Sequence, residues 1–131
     1  MTSRDQVLAA CLAKPGSAEE YPFGDGAAVF KVAGRMFALV SLGPPPGSVS
    51  LKCDPHLALG LRARYAAVTP GYHLNKRHWN TVELDDSVPE EELLELIDHS
   101  YDLVVARLTR ARRGSLGRGS GLGREDRADH D

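Results

Sequence analysis

Apolar residues near the start of this chain recur at helical intervals. Residues 3–6 have the composition of a capping box, and the apolar positions between residues 7 and 12 follow with the spacing of one helix face. Pro15 then predicts the end of that helix. The chain is therefore expected to begin with a short amphipathic helix.

The spacing changes to that of strands after a polar stretch. Residues 17–26 predict a loop, and we expect Tyr21 and Phe23 to anchor it on the core. From residue 28, two apolar runs flank Ala33, which is followed by Gly34, and this arrangement indicates a hairpin. Residues 48–53 alternate as a further strand. Its two faces are Val49, Leu51 and Cys53, expected to be buried, and Ser48, Ser50 and Lys52, expected to meet solvent or a ligand.

The second half of the chain returns to helices. Asp54 followed by Pro55 predicts a helix start, and that helix is expected to run to about Tyr65. One or two short strands precede a last amphipathic helix that starts near Ser87. The predicted order is α-β-β-β-α-β(β)-α. Strands grouped between helices favour an α+β fold, with an antiparallel sheet packed on one face by helices.

Length and composition indicate one domain. With 131 residues, of which 42% are hydrophobic, the chain can build a single packed core. We expect an α+β domain over residues 1–112 and a disordered, Gly- and Arg-rich tail over residues 113–131. No apolar run approaches the ~20 residues of a membrane helix, and the start does not resemble a signal peptide. A cytoplasmic location is therefore expected, without a membrane partner.

The charges are unevenly distributed along the chain. Residues 110–131 carry six Arg against four acids, whereas residues 1–109 carry ten Lys and Arg against fourteen Asp and Glu. A mildly acidic domain argues against a nucleic-acid binder unless cations form a local patch. The two cysteines, Cys11 and Cys53, are too few for a disulfide framework and are expected to be free and buried.

The unusual segment is GYHLNKRHWNTVEL, residues 71–84, which we call the polar motif. It contains two His, two Asn, a Lys-Arg pair and the only Trp of the chain. From Trp79 onward the residues alternate as in a strand. If Val82 and Leu84 face the core, Trp79 points to the outer side of the sheet, close to Lys52.

Two interpretations of the polar motif compete on residue chemistry. In the first, Lys76 and Arg77 neutralise phosphates, Asn75 and Asn80 bond to nucleic acid, and Trp79 or Tyr72 stacks on it. Further cations could widen such a patch: Lys31, Lys52, Arg62 and Arg64. In the second, Trp79 packs over the sheet edge while the polar side chains bond the backbone of an irregular turn. Polar loops are usually structural, so the residues alone favour the second interpretation.

Metal binding and catalysis have weaker support. His73 and His78 with Glu83 or Asp85 would make an incomplete metal site, and a solvated or backbone-bonded His is favoured. No Ser lies in a nucleophile-elbow setting, and no Gly-rich segment matches a phosphate loop. We therefore expect no catalytic residue, no metal and no cofactor.

Four segments together resemble a known family. They are EEYPFGDGAAVFKVAGRMFALV (19–40), SLKCDP (50–55), PGYHLNKRHWNTVEL (70–84) and LIDHSYDLV (96–104). In this order and spacing they resemble the MmcQ/YjbR family of small bacterial proteins, over about residues 1–110. The resemblance implies a compact domain similar to the CyaY (frataxin-like) fold, also described as double-wing, and a DNA-binding protein.

The resemblance also implies which residues form the site. The family's polar signature falls on Tyr72, His73, Asn75, Lys76, Arg77, His78, Trp79 and Asn80, with Lys52 from the neighbouring strand motif. We therefore expect a non-enzymatic module with weak, salt-sensitive DNA binding. The expected contact residues are Lys52, Tyr72, Asn75, Lys76, Arg77, Trp79 and Asn80. The alternative is a protein-interaction or small-ligand domain whose Trp79 corner serves an unidentified partner.

Overall fold

The computed structural model describes residues 3–118, with side chains described through residue 108. Within that range the chain forms three α-helices, a short 3-10 helix (Gly24–Gly26) and six strands, and the α-helices and strands are numbered in chain order. They are α1 (Arg4–Leu12), β1 (Ser17–Glu20), β2 (Ala27–Val32), β3 (Arg35–Ser41), β4 (Ser48–Lys52), α2 (Pro55–Arg64), β5 (Val68–Pro70), β6 (Trp79–Glu83) and α3 (Glu90–Arg118). The predicted domain boundary at residue 112 falls inside α3, which extends to Arg118. Of the predicted tail, residues 113–131, the part from residue 119 onward lies outside the described residues.

The six strands form one antiparallel sheet in the order β1-β2-β3-β4-β6-β5. Buried residues of all three helices join one hydrophobic cluster with buried residues of the sheet. The predicted α+β fold, an antiparallel sheet packed by helices, is therefore confirmed. None of the helices within residues 3–118 combines the length and apolar composition that crossing a membrane requires.

The helix starts follow from local side-chain capping. Ser3 Oγ accepts from Gln6 N at 3.2 Å, while Gln6 Oε1 accepts from Ser3 N at 2.7 Å, so the predicted capping box is present. At the start of α2, the Asp54 carboxylate accepts from His56 N at 3.1 Å and from Leu57 N at 3.2 Å. These bonds satisfy amide groups that have no partner inside their helix.

The predicted hairpin is also confirmed. Ala33 and Gly34 join β2 to β3 with φ angles of 50° and 83°. Two-residue hairpin turns often need positive φ at both central residues, because that geometry matches the right-handed twist of the strands.

Strand β1 was not predicted. Its sequence, SAEE, lacks alternating apolar residues, and it joins the sheet as an edge strand through pairing with β2. Tyr21 and Phe23, which follow it, are 51% and 67% exposed. Their expected anchoring on the core is therefore wrong, because backbone pairing holds this segment in place.

Helix α3 is tied to the sheet through a buried hydroxyl. Ser100 Oγ donates to the C=O of Phe37 at 2.6 Å and accepts from the N–H of Lys52 at 2.9 Å. Residues 37 and 52 lie one step beyond the last pair of the β3–β4 ladder, Ala38 with Leu51. The hydroxyl therefore bridges two backbone groups where the strands separate, and it fixes the end of β4 that leads to the site.

Candidate nucleic-acid interface

The polar motif forms the loop and second strand of a hairpin at one edge of the sheet. Strand β5 pairs with β6 as far as Pro70 and Asn80. Immediately beyond them, Gly71 N donates to the C=O of Trp79 at 2.8 Å. Residues 71–78 are therefore the hairpin loop.

Asn75 shapes this loop from within. Its Oδ1 accepts from Arg77 N at 3.0 Å and from His78 N at 3.3 Å, which closes a tight turn. The C=O of His78 accepts from Cys53 N at 2.7 Å and so joins the end of the loop to the end of β4. The amide that was expected to contact nucleic acid thus has a role in building the turn.

Arg62 of α2 holds the loop from outside. Its Nε donates to Asn80 Oδ1 at 2.7 Å, and its Nη2 donates to the C=O of Lys76 and, at 3.4 Å, to that of Trp79. Asn80 Nδ2 donates to the C=O of Ala58, also on α2, at 3.3 Å. Asn80 is only 3% exposed, so the surface position expected for it is wrong.

Trp79 and Lys52 are buried, contrary to expectation. They are partners in the β4–β6 register, on the sheet face opposite the core, as the alternation predicted. Trp79 is nevertheless 3% exposed and Lys52 6%. Beside them, the hydroxyls of Ser50 and Thr81 are also buried and lie 2.8 Å apart. The sequence predicted an exposed Trp79 indole, either on a DNA surface or at a corner that serves an unidentified partner, and an exposed Lys52 ammonium on the DNA surface. Both predictions are therefore wrong.

Apart from Glu83 in β6, the exposed residues of the motif lie in a smaller surface, residues 72–77, which we call the cationic turn. Its exposed residues are Tyr72, His73, Asn75, Lys76 and Arg77. Tyr72 is 73% exposed, and its ring centroid lies 3.9 Å from that of His73. His73 was not among the expected contact residues, although its position next to Tyr72 was the signal available for it.

Within the part of the chain whose side chains are described, the two cations of this turn have no acidic partner. Among residues 3–108, neither Lys76 nor Arg77 has a carboxylate within ion-pair distance. Lys76 Nζ instead donates to the C=O of Gly71 at 3.0 Å, which holds the ammonium beside the base of the turn. An ammonium has three donors, so this bond leaves capacity for an anion.

The other cations considered for the surface are engaged elsewhere. Lys31 Nζ lies 3.1 Å from Glu20 Oε1, far along the strand order from the β5–β6 hairpin. Arg64 Nη2 lies 3.6 Å from Glu92 Oε1. The positive surface is thus narrower than the sequence suggested.

Neither thiol is suited to nucleophilic chemistry. Cys11 and Cys53 are free and buried, as predicted. Burial raises the pKa of the Cys11 thiol to about 12. Burial, and secondarily the charge of Asp54, raises the pKa of the Cys53 thiol to about 11. Since the thiolate is the reactive form, both are inert near neutral pH. Within residues 3–118, no group of three or more His, Cys, Asp or Glu is placed to hold a metal ion.

Two known proteins are similar to this chain in sequence over most of its length. YjbR from Escherichia coli K12 is 39% identical over 111 residues, which cover 85% of this chain and 94% of that protein. YbdF from Escherichia coli O157:H7 is 38% identical over 90 residues, 69% of this chain and 74% of that protein.

Solved structures agree with this relationship. The crystal structure of Deinococcus radiodurans protein DR2400, family-model domain DUF419, matches with a TM-score of 0.75 and 44% identity over 79% of each chain. A Pseudomonas syringae protein matches with a TM-score of 0.67 and 26% identity, over 78% of this chain and 98% of that one. The YjbR family model matches residues 12–103, which include the whole cationic turn. The chain belongs to the YjbR family.

Proposed function

We propose that this domain is a non-enzymatic binding module that contacts DNA phosphates through Lys76 and Arg77 of the cationic turn. The supporting observation is that these two adjacent, exposed cations lack a carboxylate partner in the part of the chain whose side chains are described. A cation that is not already paired can neutralise a phosphate and release the counterions condensed on DNA.

In the free protein, hydrogen bonds hold the backbone of the turn that carries the two cations. Arg62 bonds the C=O of Lys76, and Asn75 bonds the N–H of Arg77. A backbone already fixed in the free protein loses less conformational entropy when it binds. This order supports a recognition role for the turn.

Binding is expected to be weak and strongly dependent on salt. The protein has a formal net charge of −2, so its overall charge does not attract a polyanion. Two phosphate contacts on duplex DNA correspond to a slope of about −2 when the logarithm of the association constant is plotted against that of the salt concentration.

The proposal revises the expected contact set. Tyr72, Lys76 and Arg77 remain exposed, and the phosphate contacts are assigned to Lys76 and Arg77. Asn75 shapes the turn, and Lys52, Trp79 and Asn80 are buried supports of it. A duplex should therefore contact the cations of the turn directly and make no direct contact with the buried indole.

Fluorescence anisotropy with labelled duplex DNA at low salt tests the proposal. The full-length chain should raise the anisotropy, and the Lys76→Ala/Arg77→Ala variant should bind at least about tenfold more weakly, because both phosphate contacts are lost. Failure of the wild-type protein to bind contradicts the proposal.

A charge-matched control separates the turn from overall charge. Lys14→Ala/Arg64→Ala removes the same two positive charges at residues that pair with Asp98 and Glu92. This variant should bind nearly as well as the wild-type protein. An equal loss of affinity in both double variants would show that net charge, and not the turn, governs binding.

A further inference from the structure

Tyr72 has the highest exposure of the large hydrophobic side chains that lie at the surface of the described residues, 73%. Its backbone is nevertheless fixed, because its N–H donates to Thr81 Oγ1 at 3.3 Å. A flat aromatic ring on an ordered backbone, open to solvent, has the properties of a stacking platform.

His73 packs against the Tyr72 ring and has an uncommon backbone conformation. Its φ angle is 59°, in the left-handed region that non-glycine residues seldom occupy. The imidazole and phenol ring centroids are 3.9 Å apart, with 51° between the ring planes. Strained backbone conformations concentrate at binding and catalytic sites, so this outlier supports a binding role.

The platform lies next to the cations of the turn. Lys76 Nζ bonds the C=O of Gly71, the residue directly before Tyr72. A nucleotide stacked on Tyr72 would therefore have its phosphate close to the ammonium of Lys76, with Arg77 beside it in the chain. Aromatic ring and cations together match the recognition of single strands, where bases stack on aromatic side chains and phosphates meet a positive surface.

A base within a duplex cannot use this platform, because its two faces are covered by neighbouring base pairs. We propose that the cationic turn binds unpaired nucleotides, with one base on Tyr72 and the flanking phosphates on Lys76 and Arg77, and so prefers single-stranded to duplex DNA. This inference rests on the proposed function and specifies the form of DNA that the same surface takes.

Competition between two labelled probes tests the preference. The probes are an oligothymidylate of about 15 nucleotides, which is within the range of single-strand site sizes, and a duplex of the same length. The full-length chain should bind the single strand more tightly. Tyr72→Ala should weaken single-strand binding by at least about fivefold, the loss expected for one stacked base, and leave duplex binding unchanged.

Two variants make the result decisive. Tyr72→Phe keeps the aromatic ring and should keep the single-strand preference, whereas Lys76→Ala/Arg77→Ala should weaken both probes. The emission of the buried Trp79 reports whether each variant is folded.

The outcomes separate the inference from the proposed function. Equal or tighter binding of the duplex, or unchanged single-strand affinity in Tyr72→Ala, overturns the inference alone, provided that Lys76→Ala/Arg77→Ala still weakens binding. Absence of binding to both probes overturns both.

Discussion

At the scale of single residues, Gly71 is the tightest point of the site. A Cβ atom at this position would lie 2.7 Å from the Cβ of Trp79 and 3.2 Å from that of Leu74. The same glycine donates its N–H to the C=O of Trp79, and its C=O accepts from the side-chain ammonium of Lys76. The buried indole and the exposed turn therefore meet at a residue that has no room for a side chain.

Gly71→Ala is expected to destabilise the fold by about 1–3 kcal/mol, because the added methyl group must displace the Cβ atoms of Trp79 and Leu74 and the C=O of Trp79. Urea denaturation followed by the emission of Trp79 measures this change. Gly60→Ala is the matched control: it lies inside α2 with nothing within 4 Å of the added Cβ. It should stabilise the fold by about 0.5–1 kcal/mol through helix propensity. Equal effects of the two changes would contradict the crowded geometry at Gly71.

Alternation along the chain predicted which sheet face each residue of β6 occupies, but it could not predict exposure. Trp79 does lie opposite Lys52 on the outer face, yet both are buried. Exposure depends on contacts from segments distant in sequence, and alternation reports only the direction of a side chain. Tyr72 and Arg77, in the loop itself, were correctly expected at the surface.

At the scale of elements, helix α2 acts as the support of the cationic turn. Arg62, in its last turn, reaches Asn80 and two backbone carbonyl groups of the polar motif. Arg64, two residues later, points to Glu92 and is 66% exposed at its side chain. Two arginines of one helix therefore have different roles, one in positioning the site and one at the surface.

Arg62→Met should destabilise the domain by about 1–3 kcal/mol, because it leaves the buried Oδ1 of Asn80 without its charged donor. It should also accelerate hydrogen exchange of the His78 amide, because that amide closes the turn through its hydrogen bond to Asn75. Arg64→Met is the control and should cost at most about 1 kcal/mol, as is usual for exposed ion pairs. If the His78 amide of Arg62→Met exchanges as slowly as that of the wild-type protein, α2 does not hold the turn.

The sequence predicted elements well where their signals are local. The caps of α1 and α2 and the turn at Ala33 are short-range features, and each was placed correctly. Strand β1 has no such signal, because its four residues are mostly exposed and it forms only by pairing with β2. The role of Arg62 was also hidden, because its partners lie 14 to 18 residues away in the sequence.

At the scale of the whole molecule, the core holds two thiols in their protonated form. Burial raises the pKa of the Cys11 thiol to about 12, and burial together with Asp54 raises that of Cys53 to about 11, against an ordinary value of 9.0. At pH values between the ordinary thiol pKa of 9.0 and the raised native pKa values, the unfolded chain releases thiol protons that the native state retains. Their contribution to stability is therefore complete below about pH 9 and is lost as the pH rises toward the native pKa values.

The free energy of unfolding should fall between about pH 8 and about pH 10, and the fall should be smaller in Cys11→Ala/Cys53→Ala, which lacks both groups. Urea denaturation of both proteins at the two pH values measures the difference. An identical fall in the two proteins would contradict the assignment of this pH dependence to the thiols.

The α+β class and the antiparallel sheet followed from the order of elements, and structures of relatives share the fold. The division of the polar motif into buried supports and an exposed turn did not follow, because it depends on how α2 and β4 meet the β5–β6 hairpin. A fold leaves function open, so function has to be argued from this local geometry.

Amide chemical-shift mapping by heteronuclear NMR, with the full-length chain titrated with the oligothymidylate, tests most directly whether the cationic turn is the contact surface. The largest shifts are expected at residues 72–77, with smaller changes at Arg62 and Asn80, which support the turn from behind. Shifts that leave residues 72–77 unchanged and concentrate on another part of the domain would contradict the assignment.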